Sequence, residues 1–252
     1  MIIRIYIRYY DVDMKIAEQS DPFSYKSFNE FFTRSLISDA RPVIETPLSI
    51  ACPVDGSISQ LGNILEDALI QAKGRYFSLK GLLANDENAV ERFTDGCFST
   101  IYLSPRDYHR IHMPMDAKLI KMIYVPGDLF SVNESTSRTV DQLFARNERV
   151  ICLFETQFGL MATILVGAIF VGGMETVWEG EITPTRPREL RVWDYDATSA
   201  TQTNFAKGEE IGRFNMGSTV ILMFEQNRMN WSASLHAGSK VEMGQLIGTG
   251  TA

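Results

Sequence analysis

Two of the chain's three histidines, His109 and His112, fall in one short polar block, Ser104-Pro105-Arg106-Asp107-Tyr108-His109-Arg110-Ile111-His112-Met113-Pro114; the third is His236. Imidazole is the side chain best suited to moving protons near neutral pH. A structural pair beside a strand end fits the same spacing. So does a metal pair, although no third ligand stands at an obvious distance. A second candidate is Met216-Gly217-Ser218-Thr219, set just before the apolar run Val220-Ile221-Leu222-Met223-Phe224. A Gly-Ser pair at a strand entrance usually makes a turn. It can also react: the Gly217 carbonyl has no side chain to shield it, and the Ser218 hydroxyl can attack it if the backbone is held bent. Serine needs a base to take its proton, and a histidine oriented by a carboxylate is the usual arrangement. Cys52-Pro53-Val54-Asp55-Gly56 offers a carboxylate, though Asp before Gly is more often a turn. Spacing alone does not join Asp55, His112 and Ser218.

The elements that must position these groups read as mostly β. Ile58–Gly62, Phe98–Leu103, Val150–Phe154, Met161–Val166 and Val220–Phe224 are short apolar runs broken by Gly, Pro and Asp, the pattern of a β-rich fold. A helix is predicted over Leu79–Asn88. Another is predicted to open at Ser27, with Glu30 three residues on as a capping pair. Met1–Met14 places Arg4 and Arg8 on one helical face opposite Ile and Tyr, which suits an interfacial membrane helix, a core-packed helix or a strand. Lys207–Gly212 and Val241–Gly248 have a turn-then-strand character like that of barrel-sandwich carriers. Glu134–Gln142 is polar and reads as a loop. The expected class is α+β, predominantly β, with antiparallel or mixed sheets of barrel-sandwich-like character and short N-terminal helices. The expected division is a helical, membrane-facing segment over 1–47 and a β-rich catalytic domain over 48–252.

Composition narrows the function classes. Lysine and arginine number 24 against 31 acidic residues, a net charge of −7, which disfavours a general nucleic-acid binder. Three widely spaced cysteines, Cys52, Cys97 and Cys152, give neither a disulfide framework nor zinc spacing, so no metal is expected and a reducing compartment is. No apolar run approaches the ~20 residues that span a bilayer.

Taken in order, several blocks resemble the bacterial and organellar phosphatidylserine decarboxylase family. They are Phe28–Phe32, Pro53–Gly56, Tyr102–Pro114, Val125–Phe130, Leu143–Val150, Val166–Ala168, Glu175–Trp178 and Gly212–Thr219, covering nearly the whole chain from Tyr9. The resemblance implies roles by position. Asp55 and His112 match the family's triad aspartate and histidine, Ser218 its serine, Gly217 the residue whose carbonyl is attacked, and His109 a histidine of the decarboxylation step.

It implies, first, self-cleavage of the precursor. With His112 held by Asp55 as base, Ser218 attacks Gly217 and an N-to-O acyl shift gives an ester. Elimination of that ester releases 1–217 with a new carboxylate. The dehydroalanine left on 218–252 hydrolyses to a covalent pyruvoyl group with loss of ammonia. The resemblance implies, second, that this pyruvoyl forms a Schiff base with phosphatidylserine and acts as the electron sink for loss of CO2, giving phosphatidylethanolamine. His109 is then the acid that returns a proton, or the group that positions the carboxylate. Also implied are two chains that stay associated, a homodimer, and a peripheral place on the cytoplasmic face of the cell's inner membrane. The family has more N-terminal membrane-contacting residues than Met1–Tyr10, so the sequence is expected to begin inside a longer protein. Arg186, Arg188 and Arg191 are candidates for the headgroup phosphate. A serine hydrolase would use the same triad but lacks the Gly-x-Ser-x-Gly elbow here. A carrier module would need a hairpin-tip lysine with the flanking residues that Lys240 lacks. A pyruvoyl decarboxylase of a soluble amino acid is separated only by the family's own blocks.

Overall fold

The computed structural model describes residues 2–72, 74–169, 173–183, 187–195, 203–215 and 219–251. At the N-terminus the helical pattern prevails over the strand pattern. Helix α1 (Ile2–Tyr10) turns Tyr6 onto the rings of Phe28, Phe31 and Phe32 in α2 (Phe28–Phe32). Helix α2 starts where the capping signal predicts: the Ser27 hydroxyl accepts the Glu30 N–H at 3.0 Å, and Glu30 reaches back to the Lys26 N–H.

The chain then continues as β1 (Ser49–Ala51), β2 (Gly56–Asn63), β3 (Ala68–Ala72), β4 (Arg75–Ser78), α3 (Leu79–Leu82), α4 (Glu87–Phe93), β5 (Cys97–Tyr102), β6 (Arg110–His112) and β7 (Ala117–Val125). After these come α5 (Glu134–Thr139), α6 (Leu143–Arg146), β8 (Arg149–Thr156), β9 (Gly159–Val166), β10 (Met174–Thr176), β11 (Gly180–Thr183), β12 (Arg191–Asp194) and β13 (Asn204–Phe205). The last elements are β14 (Glu210–Phe214), β15 (Thr219–Phe224), β16 (Met229–Trp231), β17 (Lys240–Val241) and β18 (Leu246–Gly250).

Two sequence expectations are corrected. The single helix expected over Leu79–Asn88 is two, because Ala84 and Asn85 take left-handed φ values of 55° and 60°, and Asp86 then caps a new helix through the Ala89 N–H. The stretch expected as a loop over Glu134–Gln142 contains α5, capped by the Asn133 side chain on the Thr136 N–H.

The main sheet of the described residues runs in the order β12-β7-β8-β9-β15-β5-β2-β17, with β13 also on β7. Strand β15 lies in its middle, antiparallel to β9 and β5, with all six residues buried. Its side chains alternate between two cores, as a strand buried on both faces must. Val220, Leu222 and Phe224 pack into one cluster with Ile58, Ile101 and Phe154, while Ile221 and Met223 join Phe77, Phe98 and Phe144 in the other. A smaller sheet, β11-β10-β14-β6, carries both histidine and pre-serine segments; β1-β18-β16 and β3-β4 complete the set. The class is the β-rich α+β expected, with open sheets rather than a closed barrel.

Candidate active site

Sheet register brings Asp55, His109, His112 and Thr219, the described neighbour of Ser218, to one end of the main sheet. Thr219, the first residue of β15, pairs with Tyr102 and Val166, and Tyr102 in turn pairs with Ser57. The start of β15, the end of β5 and the start of β2 therefore share an edge. Asp55 immediately precedes β2, and the loop carrying His109 follows β5. Strand β14 pairs with β6, placing Glu210 opposite His112, and the Phe214 N–H donates to the His109 carbonyl at 3.0 Å. Up to Asn215 the chain thus runs beside β6, which holds His112 and directly follows His109. Gly217 and Ser218 themselves lie outside the described residues; Asn215 and Thr219 are their described neighbours in sequence.

His109 is wholly buried and lies against the Phe32 ring, with centroids 4.0 Å apart. Its Nδ1 is 2.8 Å from the Asp107 carbonyl. A carbonyl oxygen can only accept, so Nδ1 carries the proton and Nε2 presents a lone pair. Among the described residues Nε2 has no hydrogen-bond partner. Burial, followed by the nearby Arg34 guanidinium, pushes the His109 pKa down to about 3, so the ring is neutral near pH 7.

His112 is held the same way round. Its Nδ1 donates to the Gly208 carbonyl at 2.8 Å, and its Nε2 accepts the Tyr108 hydroxyl at 3.0 Å. Burial lowers its pKa as well, against the raising influence of the Gly208 carbonyl and Glu210.

Asp55 is also buried, and both its oxygens are engaged. Arg41 donates from Nε to Oδ1 at 2.8 Å and from Nη2 to Oδ2 at 2.6 Å, and the Met243 N–H donates to Oδ1 at 2.8 Å. Asp55 and His112, paired by the family resemblance, share no direct hydrogen bond, since both ring nitrogens of His112 have other partners. The two residues are nonetheless neighbours: the His112 N–H donates to the Pro53 carbonyl at 2.9 Å, and the Asp55 charge favours a protonated His112.

Four contributors escaped the sequence reading. Arg41 clamps Asp55, and Tyr108 occupies His112. The buried Arg34 donates to the Arg106 carbonyl at 3.1 Å in the loop before His109. Asn215 anchors the chain before Gly217. Tyr108 lies inside the histidine block and was legible there as a third polar group; Arg41 and Asn215 carry no local signal.

Of the arginines considered for a phosphate, Arg188 lies 3.3 Å from the buried Glu148 carboxylate, Arg191 sits on the edge strand β12, and Arg186 is outside the described residues. Cys52, Cys97 and Cys152 are buried free thiols. No cluster of metal ligands occurs among the described residues.

A family model described as phosphatidylserine decarboxylase matches residues 28–249. The chain is similar to the "phosphatidylserine decarboxylase proenzyme" of Pasteurella multocida, 52% identical over 98% of this chain and 83% of the relative. It is equally similar to the protein of that name from Methylococcus capsulatus, at 52% over 98% of this chain and 85% of the relative. The Salmonella paratyphi B protein of the same name is 50% identical over the whole of this chain and 78% of its own length.

Proposed function

The chain belongs to the phosphatidylserine decarboxylase family, and from that membership and the site geometry we propose that it is a proenzyme that cleaves itself at Gly217–Ser218 and then decarboxylates phosphatidylserine. One observation carries the reading beyond the family match. Two neutral histidines, both with Nε2 lone pairs, lie on and just before β6, the strand that pairs with the chain leading toward the cleavage site.

His112 is the base for Ser218. Its proton-accepting nitrogen is Nε2, since Nδ1 is committed to Gly208, and Tyr108 is its resting partner. Asp55 acts through its charge on the imidazolium that forms, while Arg41 keeps that carboxylate in place. Cleavage turns Ser218 into the first residue of the chain 218–252, bearing the pyruvoyl group. The residues present suit such a group: β15, one residue on, is locked between β9 and β5, and the unpartnered His109 Nε2 is a buried acceptor on a residue whose carbonyl takes the Phe214 N–H. Once formed, the pyruvoyl would supply a ketone electron sink for loss of CO2 from the bound amine. Neutral His109 is not a resident acid. Its role in this reading is to position the substrate at its free Nε2 or, once protonated in the loaded site, to deliver the proton that returns to the carbon that CO2 vacates.

The N-terminal segment 1–47 faces the membrane in this reading, with 48–252 as the catalytic unit. Ile2, Ile5 and Tyr9 are exposed along α1, and no helix of the described residues is long and apolar enough to cross a bilayer. Contact from the cytoplasmic side by α1 supplies the substrate. Two copies associate as a homodimer, as the resemblance implies; sedimentation equilibrium tests it.

The test of the reaction is direct. The purified protein is given phosphatidylserine vesicles or free serine, and the amine product and CO2 are measured. Phosphatidylethanolamine formed from the vesicles is expected; turnover of free serine at an equal rate would move the substrate to a soluble amino acid.

A further inference from the structure

Asn215 stands two residues before Gly217, only 9% exposed and held on three sides. Its amide Nδ2 donates to Glu175 Oε1 at 2.6 Å, its Oδ1 accepts the Asn29 amide at 3.1 Å, and its backbone N–H donates to the Gly173 carbonyl at 2.9 Å. A side chain at residue 173 would crowd this arrangement, because a Cβ there would come within 2.4 Å of the Thr183 carbonyl and 3.1 Å of Asn215 Nδ2.

Glu175 is itself fixed. Arg213 lies 3.5 Å from it and 3.2 Å from Glu210. Glu210 is paired with Arg110 at 2.8 Å, and Arg110 donates to the Thr33 carbonyl and to Ser35 Oγ. A polar ring therefore leaves the α2 segment at Asn29, passes through β10, β14 and β6, and returns to that segment at Thr33 and Ser35.

We propose that Asn215, docked on Glu175, is a positioning residue for self-cleavage. The inference rests on the reading above that the chain cuts itself at Gly217–Ser218. Attack of a hydroxyl on the preceding carbonyl depends steeply on how the two are placed. The bond in question hangs between two anchors, Asn215 on one side and Thr219 in β15 on the other. Thr219 is fixed by two strands. Asn215 lies past the last β14 pair, where its one backbone bond to Gly173 remains and its side-chain bonds add to that hold. The Asn215–Glu175 bond has an ionised acceptor and is the stronger of its side-chain bonds; the Asn29 bond, from an exposed residue, is secondary.

The test follows newly made protein by intact mass under denaturing conditions. Asn215→Asp sets a carboxylate against Glu175. At pH 8 it is expected to slow fragment formation about tenfold or more. Asn215→Ala, which adds no charge, slows cleavage at every pH. The double variant Asn215→Asp/Glu175→Gln restores a donor for the new carboxylate and is expected to bring the rate back to within about threefold of wild type. Wild-type rates in both single variants would overturn the proposal, as would a slow Asn215→Asp that the second substitution fails to rescue. A wild-type chain that never yields fragments would instead sink the self-cleavage reading, and this inference with it.

Discussion

At the scale of single residues, the two histidines share a tautomer but differ in what meets Nε2, and that difference separates their proposed roles. His112→Ala removes the base for Ser218 and should leave the chain uncut. His109→Ala should still cut, yet lose about two to four orders of magnitude in decarboxylation, the range of a lost acid–base group. Mass for the first and product formation for the second keep the assignments independent. An uncut His109→Ala would reassign that residue to processing.

The buried neutral state of His109 has its own thermodynamic signature. Unfolded, the ring takes up a proton near its ordinary 6.5; folded, it resists until about 3. Between those values the unfolded chain binds more protons, so stability is complete above about pH 6.5 and falls as the medium is acidified toward 3. His109→Gln should flatten the fall in melting temperature between pH 6.5 and 4; an unchanged slope would remove His109 as its source. Arg41 is the other residue with a large expected effect. Arg41→Ala strands the buried Asp55 carboxylate, and a loss of about 3 kcal/mol in denaturant unfolding is predicted.

At the scale of elements, β15 has two functions. It is the central strand of the main sheet, and in the proposed product it is what holds 218–252 to the rest. Leu222→Ala, at a fully buried position, should cost about 3 kcal/mol and let the small chain separate from the cut enzyme at lower denaturant. Co-elution as stable as wild type would show that the hold lies elsewhere. Helix α1 can be altered without touching this core, because Ile5 and Tyr9 face outward. Ile5→Asp with Tyr9→Asp should reduce vesicle binding in a flotation assay while cleavage proceeds normally; undiminished binding would place the membrane contact on another surface.

At the scale of the molecule, legibility tracked locality. Strand β15 could be read because five consecutive apolar residues after a Gly-Ser pair leave little else for the chain to do. Helix α2 could be read because Ser27 and Glu30 are three apart and satisfy each other's neighbourhood. The split between α3 and α4 could not, since the left-handed turn at Ala84 and Asn85 lacks the glycine that normally announces it. The Asp55 environment could not either. Its clamp comes from Arg41, in a segment without regular structure, and from the Met243 N–H, 188 residues away. The same holds for Asn215, whose partners Asn29 and Glu175 lie 186 and 40 residues off. Sequence blocks identified the family; they did not show that the N-terminal segment is bonded into the site.

The central claim is that one precursor becomes two chains by its own chemistry, and an intact mass of the purified protein under denaturing conditions tests it most directly. The account predicts two fragments, residues 1–217 with an ordinary carboxylate and residues 218–252 carrying pyruvoyl in place of serine. A single uncut chain, in protein that is folded and retains its full native N-terminus, would contradict it.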